Sequence, residues 1–143
     1  MTAWVFGKLP AHGDFVARGI GPTDSAALDD WLSASLLAAR ERYGDAFADR
    51  FDAAQPWRAE GDGVAGAVAA SQDAAGRRFP VLLLGDAAAA CEDLLYAAIT
   101  EGWTADQLAE AAGAPAGPVS RWYGKAAVLE GAHPADLLTA MLA

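Results

Sequence analysis

The chain has 143 residues, 54% of them hydrophobic and 20% charged, and a formal net charge of −9. This is the length of one domain, enough to bury roughly 68% of the unfolded surface without disulfide or metal staples. The acidic balance excludes a nucleic-acid surface or an anionic membrane as partner, since both require basic patches.

A lone cysteine, Cys91, cannot close an internal disulfide. No basic-then-apolar leader opens the sequence, and the run Val81 to Leu84 is far too short to span a bilayer. The expectation is a cytoplasmic protein with no membrane insertion. Much of the apolar share is Ala, so the five Trp and five Phe are expected to anchor the core.

Ala3 to Lys8 reads as a short buried strand that stops at Leu9-Pro10, with Gly7 marking a bulge or a close backbone approach. His12-Gly13-Asp14 makes a turn, and Gly19, Gly21 and Pro22 make a second irregular stretch. A helix follows, capped by Thr23 or Asp24. Its apolar face is Leu28, Trp31, Leu32, Leu36, Ala39 and Tyr43, and Gly44 ends it. Asp45 to Ala54 predicts a second helix, with Phe47 and Phe51 four apart.

Pro56 to Ala59 reads as a strand, Glu60 to Gly63 as a turn, and Val64 to Ala70 as a strand of small residues packed closely under something large. Arg78 to Leu84 is the most apolar strand, paired with 64–70 through a loop of about six residues and covered on both faces. A helix is expected over Cys91 to Glu101. Thr104 to Gln107 forms a capping box for another that reaches about Ala112. Ser120 to Tyr123 and Ala126 to Leu129 are short strands, and Pro134 at a first helical position starts the last helix. Interleaved strands and helices predict a single α/β domain over residues 1–143. Its sheet is mixed, largely antiparallel, with helices on both faces in a three-layer sandwich.

Catalytic inventories come out thin. His12 and Asp14 lack a third metal ligand at turn or helical spacing, and no Cys/His spacing fits zinc. Ser71, His12 and Asp73 can be assembled into a triad only on paper, because there is no Gly-x-Ser-x-Gly elbow. Gly7-Lys8 is followed by Leu, so no phosphate-binding loop of the Walker type is present.

Two glycine-centred segments remain. One is Gly7-Lys8-Leu9-Pro10 with Gly13-Asp14-Phe15; the other is Ser71-x-Asp73-x-x-Gly76-Arg77-Arg78-Phe79-Pro80. Each sets a carboxylate in a turn beside a glycine, with a basic residue and a Phe nearby. The structural reading is that Asp14 and Asp73 accept backbone N–H bonds while the Phe residues enter the core. The functional reading is a shared surface carrying Lys8, Arg18, Arg77 and Arg78. The candidate binding set is Lys8, Pro10, Gly13, Asp14, Arg18, Ser71, Asp73, Gly76, Arg77 and Arg78.

Together the two segments resemble the TagF family, also called ImpM, of bacterial type VI secretion. The family opens with an aromatic strand, Gly-Lys-Leu-Pro, two variable residues and Gly-Asp-Phe-Val, which here is Gly7 to Val16 followed by Arg18-Gly19. Trp31 and Pro56-Trp57-Arg58 fit the elements between. Pro-Ser-x-Asp-x-x-Gly-Arg-x-Phe-Pro-Leu stands here as Ala70 to Val81, with Ala for the first Pro and Val for the last Leu. The resemblance implies an α/β sandwich and a cytoplasmic, non-enzymatic accessory protein without cofactor. It also implies a post-translational negative regulator that contacts a forkhead-associated scaffold protein of the secretion system. The alternatives are a structural assembly component of the apparatus, or a small hydrolase using Asp14, His12 and Asp73.

Overall fold

The computed structural model describes residues 2–125 and 127–143. Strands β1 (Trp4–Gly7) and β2 (Val16–Arg18) precede the long helix α1 (Pro22–Tyr43). A 3₁₀ turn at Gly44–Ala46 leads into α2 (Phe47–Ala53). Then come β3 (Trp57–Gly61), β4 (Val64–Ala69), β5 (Val81–Gly85), α3 (Cys91–Glu101) and α4 (Ala105–Glu110). The chain finishes with β6 (Arg121–Tyr123), β7 (Val128–Glu130) and α5 (Leu137–Met141). The strands form one seven-stranded sheet in the order β2-β1-β5-β4-β3-β6-β7. Every pair among the described residues is antiparallel, and helices cover both faces as expected.

Alternation along the strands divides the core into two layers. Leu82 and Leu84 of β5, with Phe6, Val68, Trp57 and Trp122, meet the buried face of α1, α2 and α5. Val81 and Leu83, with Val5, Ala67 and Ala69, meet Cys91, Leu95 and Ala98 of α3 and Leu108 of α4. Both faces of β5 are therefore covered, which accounts for its unbroken apolar run. The small residues of β4 let the layers close tightly. A Cβ built on Gly66 would lie 2.5 Å from Leu84 Cδ2.

Local signals placed most elements and missed several boundaries. The Thr104–Gln107 capping box is present in both directions, at 3.2 and 2.8 Å. The expected buried stripe of α1 also forms, but the helix starts earlier, with Gly21 at its N-cap and Pro22 in its first turn. The last helix starts later than Pro134, because residues 134–136 form a turn closed by the Leu137 N–H on the Pro134 carbonyl. An N–H of that helix, from Leu138, is instead satisfied by the buried Ser35 hydroxyl of α1 at 3.0 Å.

β3 continues to Gly61, leaving the two-residue turn Asp62-Gly63. β5 begins at Val81, beyond Pro80, which has no N–H to donate. The expected strand at Ala126 to Leu129 begins on a residue outside those described; the strand observed there is β7. Among the described residues no helix is long and apolar enough to cross a membrane.

Candidate functional site

The antiparallel register decides where the two glycine-centred segments go. Gly7 at the end of β1 pairs with Val16 of β2 and Val81 of β5, and Val81 pairs with Ala69 at the end of β4. The loop after β1 and the loop after β4 therefore leave the same end of the sheet, side by side.

Each loop is built by local chemistry. Pro10 follows Leu9 in a turn closed by the His12 N–H on the Leu9 carbonyl at 3.0 Å. Asp73 opens a second turn, closed by the Gly76 N–H at 3.0 Å, and Gly76 takes φ +83°, a left-handed conformation that side chains resist. Beyond it a bridge between Gln72 and Arg78, and the Phe79 N–H on the Ser71 carbonyl, continue the hairpin toward β5. Ser71 is buried, and its hydroxyl has no hydrogen-bond partner among the described residues.

Asp73 joins the two loops. It is 1% exposed. Its Oδ1 accepts the N–H groups of Ala75 at 2.9 Å and Arg77 at 3.0 Å. Its Oδ2 meets the Arg77 Nε at 2.8 Å and the Lys8 ammonium at 3.2 Å. The Arg77 guanidinium then reaches the Gly13 carbonyl at 2.7 Å, and the Ala74 N–H donates to the His12 carbonyl at 2.7 Å. Burial pushes the Asp73 carboxyl up. The Arg77 N–H, the Lys8 ammonium, the Ala75 N–H and the Arg77 guanidinium outweigh it and hold the group at about 2, against an ordinary 3.8. A carboxylate with this many donors stays ionised and acts as a clamp.

Several expectations are corrected here. Lys8 is 7% exposed, so its charge serves Asp73 and is not displayed. Its Nζ also lies 4.7 Å from the Phe15 ring centroid. Asp14 is exposed and, among the described residues, accepts only the N–H of its neighbour Phe15, at 2.7 Å, so it does not hold the loop. Phe15, expected in the core, is 47% exposed. It covers the buried Phe79 edge-on at 4.8 Å and leaves its outer side to solvent.

Arg18 sits apart from the clamp, pairing with Asp106 of α4 at 2.6 Å. Arg78, expected to be exposed, is half-buried because Asp52 of α2 holds it by two bonds of 2.8 and 2.7 Å. Among the residues the loops present outward are Phe15, Asp14, Gly13 and the Arg77 side chain, which is 63% exposed.

His12, Asp14 and Asp73, the groups of the hydrolase alternative, are bonded elsewhere. His12 Nε2 accepts the N–H of Ala105 at the start of α4, at 2.9 Å. Asp14 faces its own backbone and Asp73 faces the two cations. No hydrogen bond joins any of the three side chains to another among the described residues. Nor do three or more His, Cys, Asp and Glu residues gather there to hold a metal ion.

Fold and site thus define an antiparallel α/β sandwich with a pair of loops clamped together at one end. Residues 4–126 match a family model described as the TagF N-terminal domain, type VI secretion system-associated, and the chain belongs to that family. Among solved structures it is similar to the crystal structure of PA0076 from Pseudomonas aeruginosa PAO1. The identity is 25% and the TM-score 0.67, over 98% of this chain and 76% of that one. No curated protein matches the chain.

Proposed function

We propose that this chain is a cytoplasmic accessory protein that holds type VI secretion off by binding a forkhead-associated scaffold protein of the system, without catalysis. Membership of a type VI secretion-associated family supports the setting. The observation that carries the binding role is the Asp73 clamp, which fixes both loops while leaving Phe15 and Arg77 at the surface. A surface held rigid before contact loses less freedom on binding, and both phenylalanine and arginine are enriched in interfaces relative to the rest of a protein's surface.

The test is a titration of purified forkhead-associated scaffold against wild type and Phe15→Ala, with the fold of each checked by thermal melting. A wild-type Kd of about 1 μM or tighter, weakened about tenfold or more in a folded Phe15→Ala protein, is expected. No saturable binding between two folded proteins overturns the reading. Deleting the gene separates a repressor from an assembly component: loss of a repressor raises secretion, and loss of a component abolishes it.

A further inference from the structure

Two residues of the first loop and β2 are tied to two consecutive residues of α4. His12 Nε2 accepts the N–H of Ala105 at 2.9 Å, and Arg18 Nε meets Oδ1 of Asp106 at 2.6 Å. Between these anchors lies the segment that presents Phe15 at the surface.

The anchors differ in kind. The Arg18–Asp106 pair is exposed on both sides, so solvent and salt weaken it. The His12 bond ends on Ala105, which is wholly buried. The Thr104 hydroxyl does not relieve that N–H, because it accepts the Gln107 N–H in the capping box. The imidazole is the acceptor for a donor that water does not reach. Its backbone is fixed as well: the His12 N–H donates to the Leu9 carbonyl at 3.0 Å, and the His12 carbonyl accepts the Ala74 N–H at 2.7 Å.

An imidazole nitrogen accepts an N–H only while it carries no proton of its own. Nε2 is therefore bare, and Nδ1 holds the ring's hydrogen. A proton taken from water onto Nε2 turns the acceptor into a donor facing another donor. The charged groups on the elements around the ring are Lys8 and Asp14 on its own loop, Asp73 and Arg77 on the second, Arg18 on β2 and Asp106 on α4. Among the described residues none is ion-paired with His12. Asp73 serves Lys8 and Arg77, Asp106 serves Arg18, and Asp14 accepts the Phe15 N–H. No carboxylate is left to hold an imidazolium where the neutral ring sits.

We propose that His12 is an acid-released latch on the Phe15 segment. Neutral, it fastens the segment to α4; protonated, it lets go of the Ala105 N–H, and the first turn of α4 opens to water. The exposed Arg18–Asp106 pair then remains as the tie. Leu108 and Ala109 keep the rest of α4 packed in the core, so the release is local. Histidine is the side chain that ordinarily changes charge between about pH 5 and 8, so mild acid is the trigger. The latch concerns how the loop is held and does not depend on which partner meets it.

The experiment follows the ¹⁵N-labelled full chain by NMR from about pH 8 to about pH 5. At the upper end the His12 ring should show an unprotonated Nε2 and a protonated Nδ1. As the ring titrates, hydrogen-exchange protection at Ala105, corrected for the intrinsic rate at each pH, should fall about tenfold in step with it. His12→Gln offers an amide oxygen that accepts at every pH and should keep its Ala105 protection level, whereas His133→Gln should repeat the wild-type fall. A protonated Nε2 at the upper end, a ring that stays neutral throughout, or Ala105 protection that ignores the ring's titration would each overturn the proposal. So would the same fall in a folded His12→Gln protein.

Discussion

The Lys8 ammonium lies 3.2 Å from Oδ2 of Asp73, joining two loops that are far apart in sequence, with both side chains almost wholly removed from solvent. A buried pair of this kind is a weak source of net stability when intact, because both charges have lost their water. Breaking it from one side is costly, because the remaining charge keeps no partner. Asp73→Ala should therefore lower the melting temperature by about 10 °C or more. It strands the ammonium together with the N–H groups of Ala75 and Arg77. Adding Lys8→Met should recover part of that loss, since the methionine removes the stranded charge at similar volume. Thermal melts of the two variants check this. A single variant melting like wild type would show that water reaches the site.

The same carboxylate sets an acid limit. Its folded pKa of about 2 lies below the ordinary 3.8. The unfolded chain thus binds the proton more readily than the folded one. The group's contribution is fully present above about pH 4 and is lost as pH falls toward 2. A carboxyl-carbon NMR titration of Asp73 should show a midpoint near 2. A midpoint near 3.8 would mean that the donors do not hold the ionised form.

Asp14 provides the contrast. It is exposed and accepts one N–H from the adjacent residue, so Asp14→Ala should change stability by no more than about 0.5 kcal/mol. Urea midpoints of Asp14→Ala and wild type should nearly coincide. A large drop would return the structural role to the first loop.

These two aspartates show where sequence reading stops. Both stand in turns beside glycines, and both satisfy the composition rules for a loop-holding carboxylate. Which one is buried depends on the register that brings the ends of β1 and β4 together, and that is a non-local fact. Local chemistry was legible: the Thr104 capping box depends on residues three apart and is found where expected. The stripe on α1 and the apolar run of β5 were legible because burial imposes periodicity on them.

β2 was not legible, since three residues between two irregular stretches carry no period. The clamp's membership was partly visible, because Lys8, Asp73 and Arg77 all lie in the two conspicuous segments. The solvent-facing position of Phe15 was not, because a lone aromatic reads as core.

Cys91 should be chemically silent in the folded protein. It is the first residue of α3, where the positive end of a helix ordinarily favours a thiolate. Burial prevails instead and, with Asp86 repelling the negative charge, pushes the thiol up to about 11 despite a backbone bond from Gly85. The thiol donates to the Ala65 carbonyl across the sheet at 3.4 Å. Reaction with an aromatic disulfide reagent at pH 8 should be very slow in buffer and go to completion in denaturant. Prompt reaction of the native protein would show that the α3 layer opens readily.

Gly7 gives the sharpest test of the joint between β1 and the clamped loops. Its φ of +127° lies where side chains are strained, and a Cβ there would stand 2.0 Å from the Pro80 carbonyl oxygen. No rotamer change relieves that clash, because the Cβ position follows from the backbone and the Pro80 carbonyl is itself backbone, both fixed by the pairing of Gly7 with Val81. Gly7→Ala must either pull β1 away from β5 or give up the backbone angle. Conformational strain of this kind costs about 1–3 kcal/mol before the clash is counted. Loss of the Lys8 N–H bond to Pro80, which closes the ladder at 3.3 Å, adds to it. The expected outcome is a protein with a clearly lower urea midpoint and faster amide exchange at Lys8 and Val81. The same substitution at Gly13, which has open space around its Cβ position and no positive φ, should leave both readouts unchanged. If Gly7→Ala and Gly13→Ala behave alike, the close approach of β1 to Pro80 is not what fixes the two loops in place.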